Sequence, residues 1–228
     1  MSDVLRVVTI DGPSGGGKST VSRGLAKKLG FTYLDTGAMY RAVGFACQQH
    51  QVNMDHSGRL SVFLEGLCIQ LEPSPDGQSD VQVFLDGLDI SDRIRTPEMG
   101  MQASRVSALP EVRTYLTRLQ QQIGSDGSVV AEGRDTGTVV FPDALWKFYL
   151  DASPEIRARR RAAQLRERGE LVNEEDLLKQ IVERDLCDSQ RTIAPLRKAG
   201  DAISIDSSSL TAEEVIRIMA TAITKKKQ

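Results

Sequence analysis

The sequence predicts an α/β fold of the doubly wound class: a five-stranded parallel sheet with helices on both faces, a small antiparallel β-containing insertion and a short helical lid. Three observations predict it. Five short apolar segments are separated by stretches long enough to carry crossover helices. The first of them runs straight into a glycine-rich loop and then into a helical stripe. The alternation breaks twice, once at a period-2 segment rich in turn residues and once at an arginine-rich helix.

The first strand is Val4 to Ile10, a β-branched run suited to burial on both faces of a parallel sheet. The loop after it, Gly12-Pro13-Ser14-Gly15-Gly16-Gly17-Lys18-Ser19, matches G-x-x-x-x-G-K-[ST] at every fixed position. Its glycines let successive backbone N–H groups converge on phosphate oxygens, and the helix that follows points its positive end at the same anion. Gly12 to Thr20 is therefore expected to bind a nucleoside triphosphate, with Lys18 reaching the β- and γ-phosphates and Ser19 holding Mg²⁺.

In the helix, Val21, Leu25 and Leu29 share one stripe, and Gly30 stands at the C-terminal capping position. Phe31 to Leu34 is the second strand, followed by a helix running to Gln49. Between Leu67 and Ile94, Leu67 to Leu71 and Val81 to Leu85 alternate with period 2 around Pro73-Ser74-Pro75-Asp76-Gly77, which predicts an antiparallel insertion. Ser128 to Ala131, Trp146 to Leu150 and Ala202 to Ile205 complete the five strands. Ligands of such sheets gather at the carboxyl ends of the strands, where the loop at Gly12, the Gly133-Arg134-Asp135 turn and the Asp151-Ala152-Ser153 turn all lie.

Ser153 as N-cap and Pro154 at N1 start a helix that Gly169 can end, with a short loop before Glu174. It carries Arg157, Arg159, Arg160, Arg161, Arg166 and Arg168, partly offset by Glu155, Glu167 and Glu170. A solvated basic face is the plain reading; beside a phosphate loop, arginines that close over a transferring phosphoryl group explain the cluster better.

Composition narrows the partners. Twenty-nine basic residues against 31 acidic give a net charge of −2, so no global field draws the chain to nucleic acid or anionic lipid. No aromatics interleave with the arginines, as a nucleic-acid groove would require. Cys47, Cys68 and Cys187 show no C-x-x-C spacing, which argues against disulfides and zinc and favours a reducing, cytoplasmic setting. No apolar run reaches membrane-spanning length, and no heptad seam argues for more than a monomer. The two histidines, His50 and His56, lie in a polar stretch, a poor basis for imidazole catalysis. A guanine-reading Asn-Lys-x-Asp is absent, since Asn53 and Asn173 are followed by Met54 and Glu174. An alcohol acceptor would require a base, for which Asp35 is the only easy candidate.

Leu34-Asp35-Thr36-Gly37-Ala38-Met39-Tyr40-Arg41, the run from Glu132 through Asp135 to Pro142, Glu183-Arg184-Asp185, Arg191 and Ala194-Pro195-Leu196 together resemble the bacterial cytidylate kinases. The resemblance spans essentially the whole chain. It implies reversible transfer of the γ-phosphoryl group of MgATP to CMP, with dCMP also accepted, and no nucleic-acid or membrane partner. It also implies a core of residues 1–35, 98–156 and 174–228, a monophosphate-binding region at 36–97 with its insertion at about 67–94, and a lid at 157–173. Lys18 would bridge donor and acceptor phosphates, Arg41, Arg134 and Arg191 would clamp the CMP phosphate, and Arg160 and Arg161 would contact ATP and the transferring group. Ser104, Arg113 and Asp135 match cytosine-reading positions; Arg184 and Asp188 match positions that hold the sugar. Arg184, Asp188 and Arg191 are spaced to share one helix face if the helix continues that far. Glu132 either acts on Mg²⁺ through water or makes a structural hydrogen bond to the phosphate loop. Asp35 and Thr36 either contact the acceptor or cap the helix they precede.

Overall fold

The computed structural model describes residues 6–54, 56–75, 81–167 and 169–225. These divide into two compact units, residues 1–33 with 127–228 and residues 34–126. Val4, Leu5, Asp76, Gly77, Arg168, Lys226 and Lys227 lie outside the described residues.

The sheet has five strands in the order β2-β6-β1-β7-β8. Here β1 is Val7–Asp11, β2 Thr32–Asp35, β6 Val129–Gly133, β7 Trp146–Asp151 and β8 Ile203–Asp206. Register runs in parallel from Val7 opposite Val129, Val8 opposite Trp146 and Phe148 opposite Ile203. Every residue of β1 and β6 is buried, as expected of the innermost strands of a sheet covered on both sides. Strands β2, β6, β7 and β8 fall within a residue or two of the segments read from apolar runs, whereas β1 begins at Val7, with Arg6 not in the strand and Val4 and Leu5 outside the described residues.

On one side, α1 (Lys18–Leu29) packs on α8 (Ala212–Lys225). Val21, Leu25 and Ala26 of α1 meet Val8, Ile10, Phe148, Val215 and Met219 in one buried cluster. Gly30 closes α1 with φ 68°, the left-handed conformation a C-terminal cap requires. Elsewhere in the same unit, α6 (Pro154–Glu167) and α7 (Glu174–Gln190) form a hairpin around Ala158, Ala162, Leu165, Leu177 and Ile181. Asn173 caps α7 by accepting from Glu175 N at 3.0 Å. Helix α7 ends at Gln190, so Arg191 does not extend the face of Arg184 and Asp188. Its backbone is extended at φ −60° and ψ 142°, and the chain leaves through Ala194 and Pro195, which cannot continue a helix.

The second unit contains α2 (Thr36–Gln49), α3 (Ser57–Glu65), α4 (Pro97–Val106), α5 (Pro110–Ser125) and a three-stranded antiparallel sheet. In that sheet β3 (Ile69–Glu72) pairs with β4 (Gln82–Leu85), as the period-2 pattern predicted. The third strand, β5 (Leu88–Asp89), is only two residues long and follows a tight turn at Asp86 and Gly87, both at positive φ. A two-residue strand has no period to detect, so its pairing, Leu88 with Leu85 and Asp89 with Phe84, is what reveals it.

Candidate active site

In the first unit, the glycine-rich loop joins the C-terminal end of β1 to the N-terminus of α1. Gly12 has φ 154°, and a Cβ there would stand 2.0 Å from the Leu150 carbonyl oxygen of β7. Only glycine lets the loop turn over the neighbouring strand at that point. Gly15 and Gly17 also have positive φ, so the loop curls and its N–H groups turn toward one concavity.

Lys18 opens α1 and is buried, its Nζ donating to the Pro13 carbonyl across the loop at 2.6 Å. Burial lowers its pKa to about 7, helped by Arg134 and Arg184; Glu132 and Asp11 oppose the shift. A lysine held in this way gains its proton more readily when an anion lies beside it. Ser19 is half-buried on the next residue of α1, Thr20 is exposed, and Ser14 stands at the loop's crest, where Arg184 donates to its hydroxyl at 3.4 Å.

The β6 end supplies the next group of side chains. Glu132 is buried and accepts from the Tyr33 hydroxyl at 2.5 Å. Arg134 pairs with Asp188 of α7 at 2.9 Å, with side-chain exposures of 18% and 4%. Burial would raise the Asp188 carboxyl, but Arg134, Arg184 and Arg191 outweigh it and hold the carboxyl below its ordinary value. Asp135 pairs with Arg191 at 3.3 Å, and Arg191 also donates from Nε to the Ala194 carbonyl at 2.6 Å. Arg191 therefore keeps company with the β6 turn although it lies past the end of α7. A single turn of π-helix, Thr136–Val140, follows the β6 turn. Asp11, the last residue of β1, anchors it by accepting from Thr136 N and Oγ1, both at 2.8 Å, and from Gly137 N at 2.7 Å. Burial pushes the Asp11 carboxyl up and these donors partly offset the shift.

The arginines of α6 scatter around the helix, as residues about 100° apart must. Arg160 donates to Ser207 Oγ at 3.0 Å and to the Ser207 carbonyl at 2.6 Å, and its guanidinium also lies nearest the position of a Cβ on Gly17. Arg161 is half-exposed and donates to Gln164 at 3.4 Å. Arg159 faces solvent, and Arg166 pairs with Glu174 at 2.8 Å. Arg157 turns into the fold instead and is buried.

In the second unit, Asp35 caps α2 by accepting from Ala38 N at 2.8 Å and pairs with Arg41 at 3.1 Å. Thr36, the first residue of α2, is buried. Arg113 on α5 is buried, donates to the Ser107 carbonyl at 3.1 Å and stacks over the Tyr40 ring at 5.7 Å. Ser104 on α4 offers its carbonyl to the Ser107 hydroxyl at 2.7 Å, which places it one helical turn from the Arg113 anchor.

Sequence reading gave no role to Asp11, Tyr33 or Ser207, and quoted Asp185 only as part of the Glu183-Arg184-Asp185 run. Asp11 carried a signal, being a carboxylate at the end of a buried strand directly before the loop. Tyr33 and Ser207 carried none, because their roles come from pairing with Glu132 and Arg160 more than forty residues away.

The residues present suit a magnesium-bound triphosphate. The curled loop can offer its N–H groups to phosphate oxygens, Lys18 is buried beneath it with Arg134 and Arg184 nearby, and the oxygens of Ser19 and Glu132 are hard ligands of the type Mg²⁺ takes. Among the described residues no group of three His, Cys, Asp or Glu could hold a metal ion by itself. Among the described residues, no helix is long and apolar enough to cross a membrane.

Comparison with known proteins supports the same direction. The family model for cytidylate kinase matches residues 8–225. A cytidylate kinase of Carboxydothermus hydrogenoformans is 48% identical over 209 residues, covering 92% of this chain and 93% of that protein. A second, from Fervidobacterium nodosum, is 50% identical over 210 residues, covering 92% of each. Among solved structures, an uncharacterized protein of Eubacterium ventriosum aligns over 97% of this chain and 99% of its own with a TM-score of 0.52. At 11% identity that likeness speaks for the fold alone.

Proposed function

Since the chain belongs to the cytidylate kinase family, we propose that it transfers the γ-phosphoryl group of ATP to CMP, and also to dCMP, giving ADP and the nucleoside diphosphate. The observation that carries this reading is Lys18, buried beneath the phosphate loop with Arg134 and Arg184 close enough to depress its pKa. Three basic side chains gathered beside one loop, from α1, the β6 turn and α7, meet the need of a reaction between two polyanions.

An oxygen of the CMP phosphate attacks the γ-phosphorus in line, and the bond from that phosphorus to the β,γ-bridging oxygen breaks, leaving ADP. The attacking phosphate has a second pKa near ~6 and is mostly dianionic at neutral pH, so no general base is needed. The chain's task is to align the reactants, offset their repulsion and exclude water. Lys18 and the loop N–H groups take the donor phosphates, and Arg160 and Arg161 serve ATP and the transferring group. Arg134 and Arg191 take the acceptor phosphate, and in the second unit Arg41 does the same. Forked guanidiniums suit phosphate oxygens.

Cytosine reading falls to Asp135 in the first unit and to Ser104 and Arg113 in the second. A carboxylate accepts from the cytosine N4 amine, whereas uracil presents a carbonyl there. Arg184 and Asp188 hold the sugar. Mg²⁺, held through Ser19 with Glu132 acting through water, would neutralise charge on the phosphates.

The test is ADP formation from MgATP with CMP, dCMP, UMP, AMP, GMP and dTMP offered separately to the purified protein. Turnover confined to CMP and dCMP is expected. Stronger turnover with another monophosphate would void the assignment of Ser104, Arg113 and Asp135, and none with any would overturn the reading.

A further inference from the structure

The crest of the phosphate loop is held by two side chains that no role above uses. The Ser14 N–H donates to Asp185 Oδ1 at 3.2 Å, and the Ser14 carbonyl accepts from Arg157 Nη1 at 2.9 Å. Arg157 Nη1 also donates to Asp185 Oδ2, closing a ring of three partners around one residue of the loop. The Arg157 Nε bond to the Ala152 carbonyl, 2.8 Å, fixes the guanidinium to the end of β7. Side-chain exposures of 5% for Arg157 and 19% for Asp185 keep the ring shielded from water. Helix α6 presses on the same crest, since a Cβ on Gly15 would lie 3.2 Å from Arg157 Cβ and 3.3 Å from the Arg157 carbonyl oxygen.

We infer that Arg157 and Asp185 are positioning residues that set the conformation of the phosphate-loop crest, and through it the placement of the donor triphosphate. The inference rests on the phosphoryl-transfer reading for its consequence, though not for its geometry. Glycine at 12, 15, 16 and 17 leaves the loop with little conformational preference of its own, so an ordered crest must be imposed from outside. A charged pair that takes both the N–H and the C=O of one residue does so with directional, charge-assisted bonds. One partner comes from α6 and the other from α7, so the helical hairpin and the loop hold each other in register. Arg184, beside Asp185 on the same turn of α7, is thereby kept within reach of the Ser14 hydroxyl. Arg157 carries the same charge as the other α6 arginines, yet it serves the loop backbone.

The test combines amide hydrogen exchange on the nucleotide-free protein with steady-state kinetics. Asp185→Ala should raise the exchange rate of the Ser14 amide at least about tenfold over wild type. It should also lower kcat/KM for ATP about 100-fold, the scale of a misplacement near 1 Å, and leave KM for CMP within about twofold. Asp185→Asn keeps an acceptor for the Ser14 N–H and should recover about tenfold of the loss. Equal exchange at Ser14 in wild type and Asp185→Ala would overturn the inference. So would losses shared equally between the two substrates with no rescue by Asn. If the Ala variant does not fold, wild type decides: Ser14 exchanging as fast as an exposed amide overturns the inference, and protection upholds it. Wild-type turnover with CMP judges the reaction separately, so failure of that reading leaves the exchange result intact.

Discussion

Triphosphate binding should take up a proton at alkaline pH, and Lys18 sets the amount. With its pKa lowered to about 7, Lys18 is mostly neutral in the nucleotide-free protein at pH 8. The triphosphate oxygens favour the charged form and return the lysine toward its ordinary value of 10.5. A group titrating at 7 is ~10% protonated at pH 8, so binding should take up about 0.9 proton there, and about 0.5 at pH 7. The nucleotide contributes little at pH 8, because its terminal phosphate, with a pKa near ~6, has already lost its proton. The assay is titration calorimetry at pH 8 with magnesium and a non-hydrolysable ATP analogue, in buffers of different ionisation enthalpy. The slope of observed enthalpy against buffer enthalpy counts the protons.

The sign is fixed by linkage. The bound state holds more protons, so affinity falls as pH rises above 7, by up to about tenfold per unit. Stability of the empty protein moves the other way, because the depressed lysine contributes stability that is present above 10.5 and lost as pH falls through about 7. Zero uptake at pH 8 would refute the reasoning, as would uptake unchanged in Lys18→Met.

Three further outcomes follow from the same geometry. Gly12→Ala should unfold the protein or cost several times the ~1 kcal/mol of Gly30→Ala, because the first forces a Cβ against Leu150 O while nothing lies within 4 Å of the second; thermal unfolding of both variants decides. Asp188→Asn should lose about 2 kcal/mol at pH 7 by leaving Arg134 without its carboxylate; denaturant titration should show the difference vanishing as pH falls below 3.8, through the depressed native pKa. Asp135→Asn should lose most of the preference for CMP over UMP while the KM for ATP stays within about twofold, since the amide can turn an N–H donor to a carbonyl where the carboxylate only accepts; equal losses for both monophosphates would refute it.

What sequence determined here is what local chemistry determines. A buried strand, a glycine-rich loop and a capped helix are written in consecutive residues, and so Val7–Asp11, the Gly12 loop and the helix from Lys18 to Gly30 were legible in order. The same holds for the period-2 pair at Ile69–Glu72 and Gln82–Leu85 and for the start of the helix at Pro154. The identity of the phosphate-binding lysine followed from its motif, but its depressed pKa did not, because desolvation and the Arg134 and Arg184 charges exist only once distant segments pack.

Tertiary structure alone decided how the cations divide their labour. On α6, five arginines look alike in sequence, yet Arg157 ties down the loop, Arg160 reaches Ser207, and Arg166 pairs with Glu174. Those choices depend on which acceptor each rotamer meets. Helix α7 stops one residue before Arg191, where spacing alone would have carried it on, and the guanidinium still reaches Asp135 because the extended chain turns it back toward the β6 turn. Side-chain partners separated by fifty or more residues leave no trace in periodicity, whereas strands, caps and glycine-dependent turns do.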